Sequence, residues 1–124
     1  MRYLMTVMGN ADYEAGKPAS PPLYAAMGDF MAESMKAGAM ISAGGLRPSS
    51  AGARLTARDG QIKVLDGPFS ESKEVVGGYA FVEAPSKAAA IEIAIKFVEV
   101  HFKGGVNDVD VEIREVAGGP GAGT

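Results

Sequence analysis

At 124 residues, 47% of them hydrophobic and 22% charged, the chain has the composition of one ordinary folded domain that buries somewhat over about 60% of its unfolded surface, with no room for a second. A net charge of −3, an isoelectric point near 5.1 and scattered Lys and Arg residues argue against nucleic-acid binding, because an anionic surface repels phosphates. Cysteine is absent and His101 is the one histidine, which excludes disulfides, thiolate nucleophiles, cysteine-ligated metals and multi-histidine zinc sites; no bound metal and no cofactor are expected.

Residues 2–8 predict a central strand whose faces, Tyr3, Met5, Val7 and Leu4, Thr6, Met8, are both largely apolar and so covered on both sides. The apolar start is too short for a signal-peptide core, and no run approaches the roughly 18 residues of a spanning helix, so a cytoplasmic protein without a membrane partner is expected. Residues 9–22, with Asn10, Asp12, Gly16 and three prolines, form a loop long enough to be mobile or to act as a lid. Leu23, Met27, Phe30, Met31 and Met35 then fall on one face of an amphipathic helix over residues 22–37, which Gly38 stops. Residues 39–43 read as a second strand ending at Gly44 and Gly45.

Asp59 and Gly60 mark a two-residue hairpin turn between residues 53–58 and 61–65. Closing it pairs Arg58 with Gln61, Ala57 with Ile62 and Leu55 with Val64, which places the apolar residues on one face and Arg54, Thr56 and Lys63 on the other. The hairpin delivers the chain into Asp66, Gly67, Pro68 and Phe69, where a glycine permits close backbone approach, a proline stiffens the loop and a phenyl ring anchors it. Glu71, Lys73 and Glu74 follow, and Gly77 and Gly78 lead into a strand over residues 78–84. Ala80, Val82 and Ala84 share one of its faces, suited to packing under helices, and Tyr79, Phe81 and Glu83 share the other.

Ser86 is an N-cap for a second helix over residues 88–100, with Ile91, Ala94, Ile95 and Val98 as its stripe and Ile93, Phe97 and Val100 widening it, so that the helix is deeply buried or sits at a subunit contact. Val109, Val111 and Ile113 alternate with acidic and basic residues in a last strand. Residues 1–117 form the single domain, no internal repeat is evident, and the glycine-rich residues 118–124 read as a disordered tail. Without the hairpin the order is strand, helix, strand, strand, helix, strand, a ferredoxin-like split βαβ sandwich of the α+β class. Both helices then cover one sheet face, and the other, carrying Tyr79, Phe81 and one side of the first strand, exposes more apolar surface than a monomer usually does, which predicts a homodimer.

The DGPF run at residues 66–69, continued by Ser70, Glu71, Ser72, Lys73, Glu74 and by Gly77, Gly78 and Tyr79, resembles the signature of the DGPF branch of the YCII-related proteins. Gly44, Gly45 and Leu46 with Pro48, Ser49 and Ser50, the turn Asp59 and Gly60, Ser86 with Lys87, and residues 111–114 match the same bacterial family in the same order. The resemblance implies dimeric α/β-barrel proteins, two ferredoxin-like domains packed sheet to sheet with clefts near the interface. It also implies two functional classes. Some members are dehydrochlorinases of chlorinated hydroquinones, and short members pair an aspartate with a histidine on the first helix; residues 22–37 hold no histidine, so that dyad does not carry over. The DGPF branch is otherwise met beside extracytoplasmic-function sigma factors, which implies a regulatory role.

Asp66 is a candidate general base beside Phe69, or the acceptor that fixes its own turn. His101 is a candidate proton carrier, or a cation at a helix C-terminus. Arg47, following Gly45 at a strand end, together with backbone N–H groups suits a carboxylate or phenolate, the alternative being a surface ion pair. Glu71 and Lys73 suit a polar ligand or a solvated loop, and Tyr79 a ligand contact or an interface. These residues describe an enzyme doing acid/base chemistry on a small anionic or phenolic molecule in a dimer-interface cleft; the alternative is a non-catalytic ligand-binding or regulatory module.

Overall fold

The computed structural model describes residues 1–69 and 75–118. The serines and glycines at element ends set its boundaries. Ser20 accepts the Leu23 N–H at the start of a helix opened by Pro21 and Pro22, and Ser86 accepts the Ala89 N–H at the start of another. In chain order the elements are β1 (Arg2–Met8), α1 (Ala11–Glu14), α2 (Pro21–Lys36), β2 (Met40–Gly45), a 3₁₀ turn (Ser49–Ala51), β3 (Ala53–Arg58), β4 (Gln61–Asp66), β5 (Val76–Glu83), α3 (Lys87–Lys103) and β6 (Val111–Glu115). β2, β5, β1 and β6 lie side by side in an antiparallel sheet, so each of the units β1-α2-β2 and β5-α3-β6 brackets a strand of the other. This is the α+β, ferredoxin-like split βαβ sandwich that the element order predicts, with the β3–β4 hairpin inserted.

The core lies between that sheet and the helices. Tyr3 and Met5 point into it from β1, Ala80 and Val82 from β5, and Ala90 and Phe97 from α3. Phe30 of α2 meets the Phe97 ring at 5.8 Å, joining the two helices. Burying Val82 and Phe97 stabilises the fold by on the order of 1.5–3 kcal/mol each. Tyr3 brings a hydroxyl into this core that has no partner among the described residues, and burial, with Glu115 adding to it, raises its pKa.

Four expectations need correction. The inner stripe of α3 runs through Ala90, Phe97, Val100 and His101, while Ile91 and Ile95 face outward, because the helix is phased by the Phe97 contact. In α2, Met27, Phe30 and Met31 pack on the core but Met35 extends past it. β1 is central, yet only its Tyr3, Met5 and Val7 face is covered by helices. Residues 9–22 are not one open loop: Asn10 caps α1 by accepting the Tyr13 N–H at 2.8 Å, and α1 is tied down on the far side of β2. The proposed tail lies outside the described residues except for Gly118.

Those ties converge on the segment between β2 and β3. The Tyr13 hydroxyl is shared between the Leu46 carbonyl and the Arg47 carbonyl, 3.0 Å from the latter. Glu14 accepts the Ser49 N–H at 2.8 Å and the Ser49 hydroxyl, and Ser49 in turn accepts the Phe69 N–H at 2.9 Å. Gly67 lies directly against this node: a Cβ there would stand 1.7 Å from the Ser49 carbonyl oxygen, a backbone atom that cannot swing away. Its N–H donates to the Gly52 carbonyl at 2.9 Å, and the Gly67–Pro68 peptide is cis.

Gly67→Ala is therefore expected to lower stability by about 2–3 kcal/mol or to prevent folding, read by urea denaturation; wild-type stability would show that the DGPF loop can move off Ser49. Tyr13 gives a pH prediction. Burial first and Glu14 second raise its pKa above the ordinary 10.0, so the folded chain keeps this proton while the unfolded chain loses it. The stabilisation is complete below about pH 10 and lost as pH rises through the folded value. Tyr13→Phe should cost about 1 kcal/mol at neutral pH and flatten the alkaline fall in melting temperature, part of which remains because Tyr3 is raised as well.

Candidate functional site

Two cavities lie on either side of α1. The larger, about 850 Å³, sits at the end of the sheet where β1 leaves and β6 enters, closed by the first residues of α2 and the last turn of α3. His101 lines it. The ring is buried at 7% exposure and stands edge-on to Phe97 at 4.9 Å. Its Nδ1 lies 2.9 Å from the Phe97 carbonyl, which can only accept, so Nδ1 carries the proton of the neutral imidazole. Nε2 is left with its lone pair and with no protein partner among the described residues.

Among the described residues the charged ones around this cavity are Asp12, Asp108, Asp110 and Lys17, and Lys17 is already paired with Asp12 at 3.3 Å. The lining is thus net negative, which favours a neutral hydroxylated molecule over an anion. Asn10 and Ser20 supply further polar groups, and Leu23 and Val7 apolar wall. The smaller cavity, about 450 Å³, lies under the segment from Leu46 to Ser49 and is lined by Arg47, Arg54 and Phe69 among others. Tyr13 separates the two, its ring lining the first and its hydroxyl closing on the carbonyls of Leu46 and Arg47, which line the second.

The sequence candidates are not brought together at one point. Asp66 is exposed at the end of β4 opposite Ala53 and lines neither cavity. Gly45 pairs with Gly78 at the edge of the sheet, and the Leu46 N–H just beyond it donates to the Gly77 carbonyl at 3.0 Å. Tyr79 stands on the sheet face away from the helices, 37% exposed, edge-on to Phe81 at 6.2 Å and against Gly44. Glu71 and Lys73 lie outside the described residues. Arg54 and the acidic residues around His101 were not singled out from the sequence. A helix-start signal was present in Asn10 followed by Asp12 and Glu14, but which cavity those residues face is a tertiary fact. Among the described residues no three side chains able to ligate a metal converge, and no helix is long and apolar enough to cross a membrane.

No curated protein matches the chain. Among solved structures, 5-chloro-2-hydroxyhydroquinone dehydrochlorinase from Burkholderia phenoliruptrix AC1100, in complex with 2,5-dihydroxybenzoquinone, is similar at 20% identity over 90% of this chain and 91% of that chain, with a TM-score of 0.45. The YCII-related domain matches residues 1–116, which takes in every helix and strand described above, and the chain belongs to the YCII-related family.

Proposed function

We propose that this protein, as a cytoplasmic homodimer of the DGPF branch with residues 1–117 acting as one domain, performs acid/base chemistry on a small phenolic molecule held in the larger cavity, with His101 as the proton carrier. One observation carries the reading: the Phe97 carbonyl fixes the Nδ1–H tautomer and leaves a basic nitrogen on a buried ring that lines a cavity of ligand size. A phenol hydroxyl donating to Nε2 transfers its proton there, and the resulting imidazolium is stabilised by the aspartates that make the cavity net negative. An anionic substrate would enter this cavity against that charge. The dimer would place the uncovered face of Leu4, Thr6, Tyr79 and Phe81 against its copy.

A non-catalytic binding or regulatory module, the class linked to extracytoplasmic-function sigma factors, gains support from Asp66, which lies outside both cavities. A cleft without a second proton-transfer partner is enough for binding.

Because His101 is the only histidine, its imidazole signals are unambiguous in nitrogen-15 spectra. The neutral ring should show the Nδ1–H tautomer, and resorcinol should shift those signals. Loss of the resorcinol ring C–H signals in D₂O reports proton transfer; catalysis by the wild type should fall by about 100-fold or more in His101→Gln. Binding without exchange supports the module, and an unmoved His101 signal rejects the cavity. Light scattering after size exclusion should give a dimer, and Phe81→Asp a monomer or insoluble chain, since an unpaired buried carboxylate costs several kcal/mol. A dimeric, soluble Phe81→Asp would show that the sheet face is not the contact.

A further inference from the structure

The smaller cavity is built for a different charge from the larger. Its charged lining among the described residues consists of Arg47 and Arg54, with no carboxylate, and neither guanidinium has an ion pair or hydrogen bond to an acid there. Glu14, the nearest acid in the bonding chain, lines neither cavity and is occupied by the N–H and hydroxyl of Ser49.

Arg54 is held in place. Its guanidinium carbon lies 4.2 Å above the centre of the Phe69 ring, and Phe69 is fixed through its own N–H to the buried Ser49. A contact over an aromatic ring uses none of the guanidinium's N–H donors, which stay available to a planar two-oxygen anion. Arg47 follows from the segment whose backbone is clamped by Tyr13. Leu46, Pro48, Val75 and Val76 give the wall an apolar part. About 450 Å³ is ample for a ring or short alkyl chain carrying one carboxylate.

We propose that this cavity binds small carboxylates with an apolar or aromatic body, Arg47 and Arg54 taking the carboxylate and the apolar wall taking the body. The inference stands apart from the reading of His101, which uses another cavity and another charge.

Calorimetric titration of the full chain with sodium benzoate tests it, with benzamide as the neutral isostere and inorganic phosphate as the anion without a body. Benzoate should bind with a Kd on the order of 1 mM or tighter, and Arg47→Met and Arg54→Gln should each weaken it tenfold or more, about 1.4 kcal/mol. Benzamide and phosphate should bind at least tenfold more weakly than benzoate. His101→Gln should leave the benzoate affinity unchanged, so failure of the acid/base reading and failure of this site are distinguishable. Where Arg47→Met melts early, Arg47→Lys keeps the charge without the fork and should still lose affinity. Equal binding of benzamide, unchanged affinity in both arginine variants, or no benzoate heat up to about 10 mM would overturn the site.

Discussion

Ser49 is the residue on which the arrangement of both cavities depends. It is a small polar side chain at 5% exposure, and burying its hydroxyl and N–H is tolerable only because each has a partner. Those partners come from distant parts of the chain: Glu14 supplies the acceptors, and Phe69 supplies the donor to the serine oxygen. One serine thereby joins α1, the connection between β2 and β3, and the DGPF loop. Removing Glu14 leaves the buried Ser49 N–H and hydroxyl without their acceptor, and removing Ser49 leaves part-buried groups of Glu14 and Phe69 unpaired, so the node behaves as a unit. Gly67 completes it from the steric side, since the loop reaches Ser49 only where no Cβ intervenes.

The node explains why one short helix can divide two chemically opposite spaces. α1 is only Ala11–Glu14, too short to be stable by itself, and is held by Tyr13 and Glu14 through side-chain bonds. Among the described residues, three aspartates and one lysine make the lining on one side net negative, and two arginines supply the charged groups of the other. In a chain of net charge −3 this separation is local and owes nothing to the global balance.

The fold was legible in the sequence because its signals are local. Proline and serine opened α2, serine opened α3, and alternation along β5 sorted Ala80 and Val82 from Tyr79 and Phe81. Asp59 and Gly60 alone predicted the hairpin register, Leu55 opposite Val64 and Ala57 opposite Ile62, which the structure reproduces. The site was less legible because its parts are joined across the chain. His101 was visible as a candidate, but its partner is a carbonyl, and every residue has one. Arg54 read as one polar position of a hairpin, and only Phe69, 15 residues on by sequence number, gives its guanidinium a fixed place. Asp66, prominent within its motif, ends outside both cavities, which is what proximity in sequence cannot decide.

The hairpin shows the same division between local and tertiary control in energetic terms. Leu55, Ile62 and Val64 share a face and are 66%, 71% and 65% exposed, so burial among the described residues does not hold their register. The turn holds one end: Asp59 and Gly60 take φ values of 51° and 76°, the left-handed pair whose twist matches two antiparallel strands. The Gly67 N–H bond to the Gly52 carbonyl and the stacking of Arg54 on Phe69 hold the other. A two-stranded ribbon is marginal alone, and clamping both ends compensates by removing the freedom to fray or slip. Gly52, Arg54 and Phe69 of the lower clamp also line the arginine cavity, so the order of the hairpin base and the shape of that cavity are coupled.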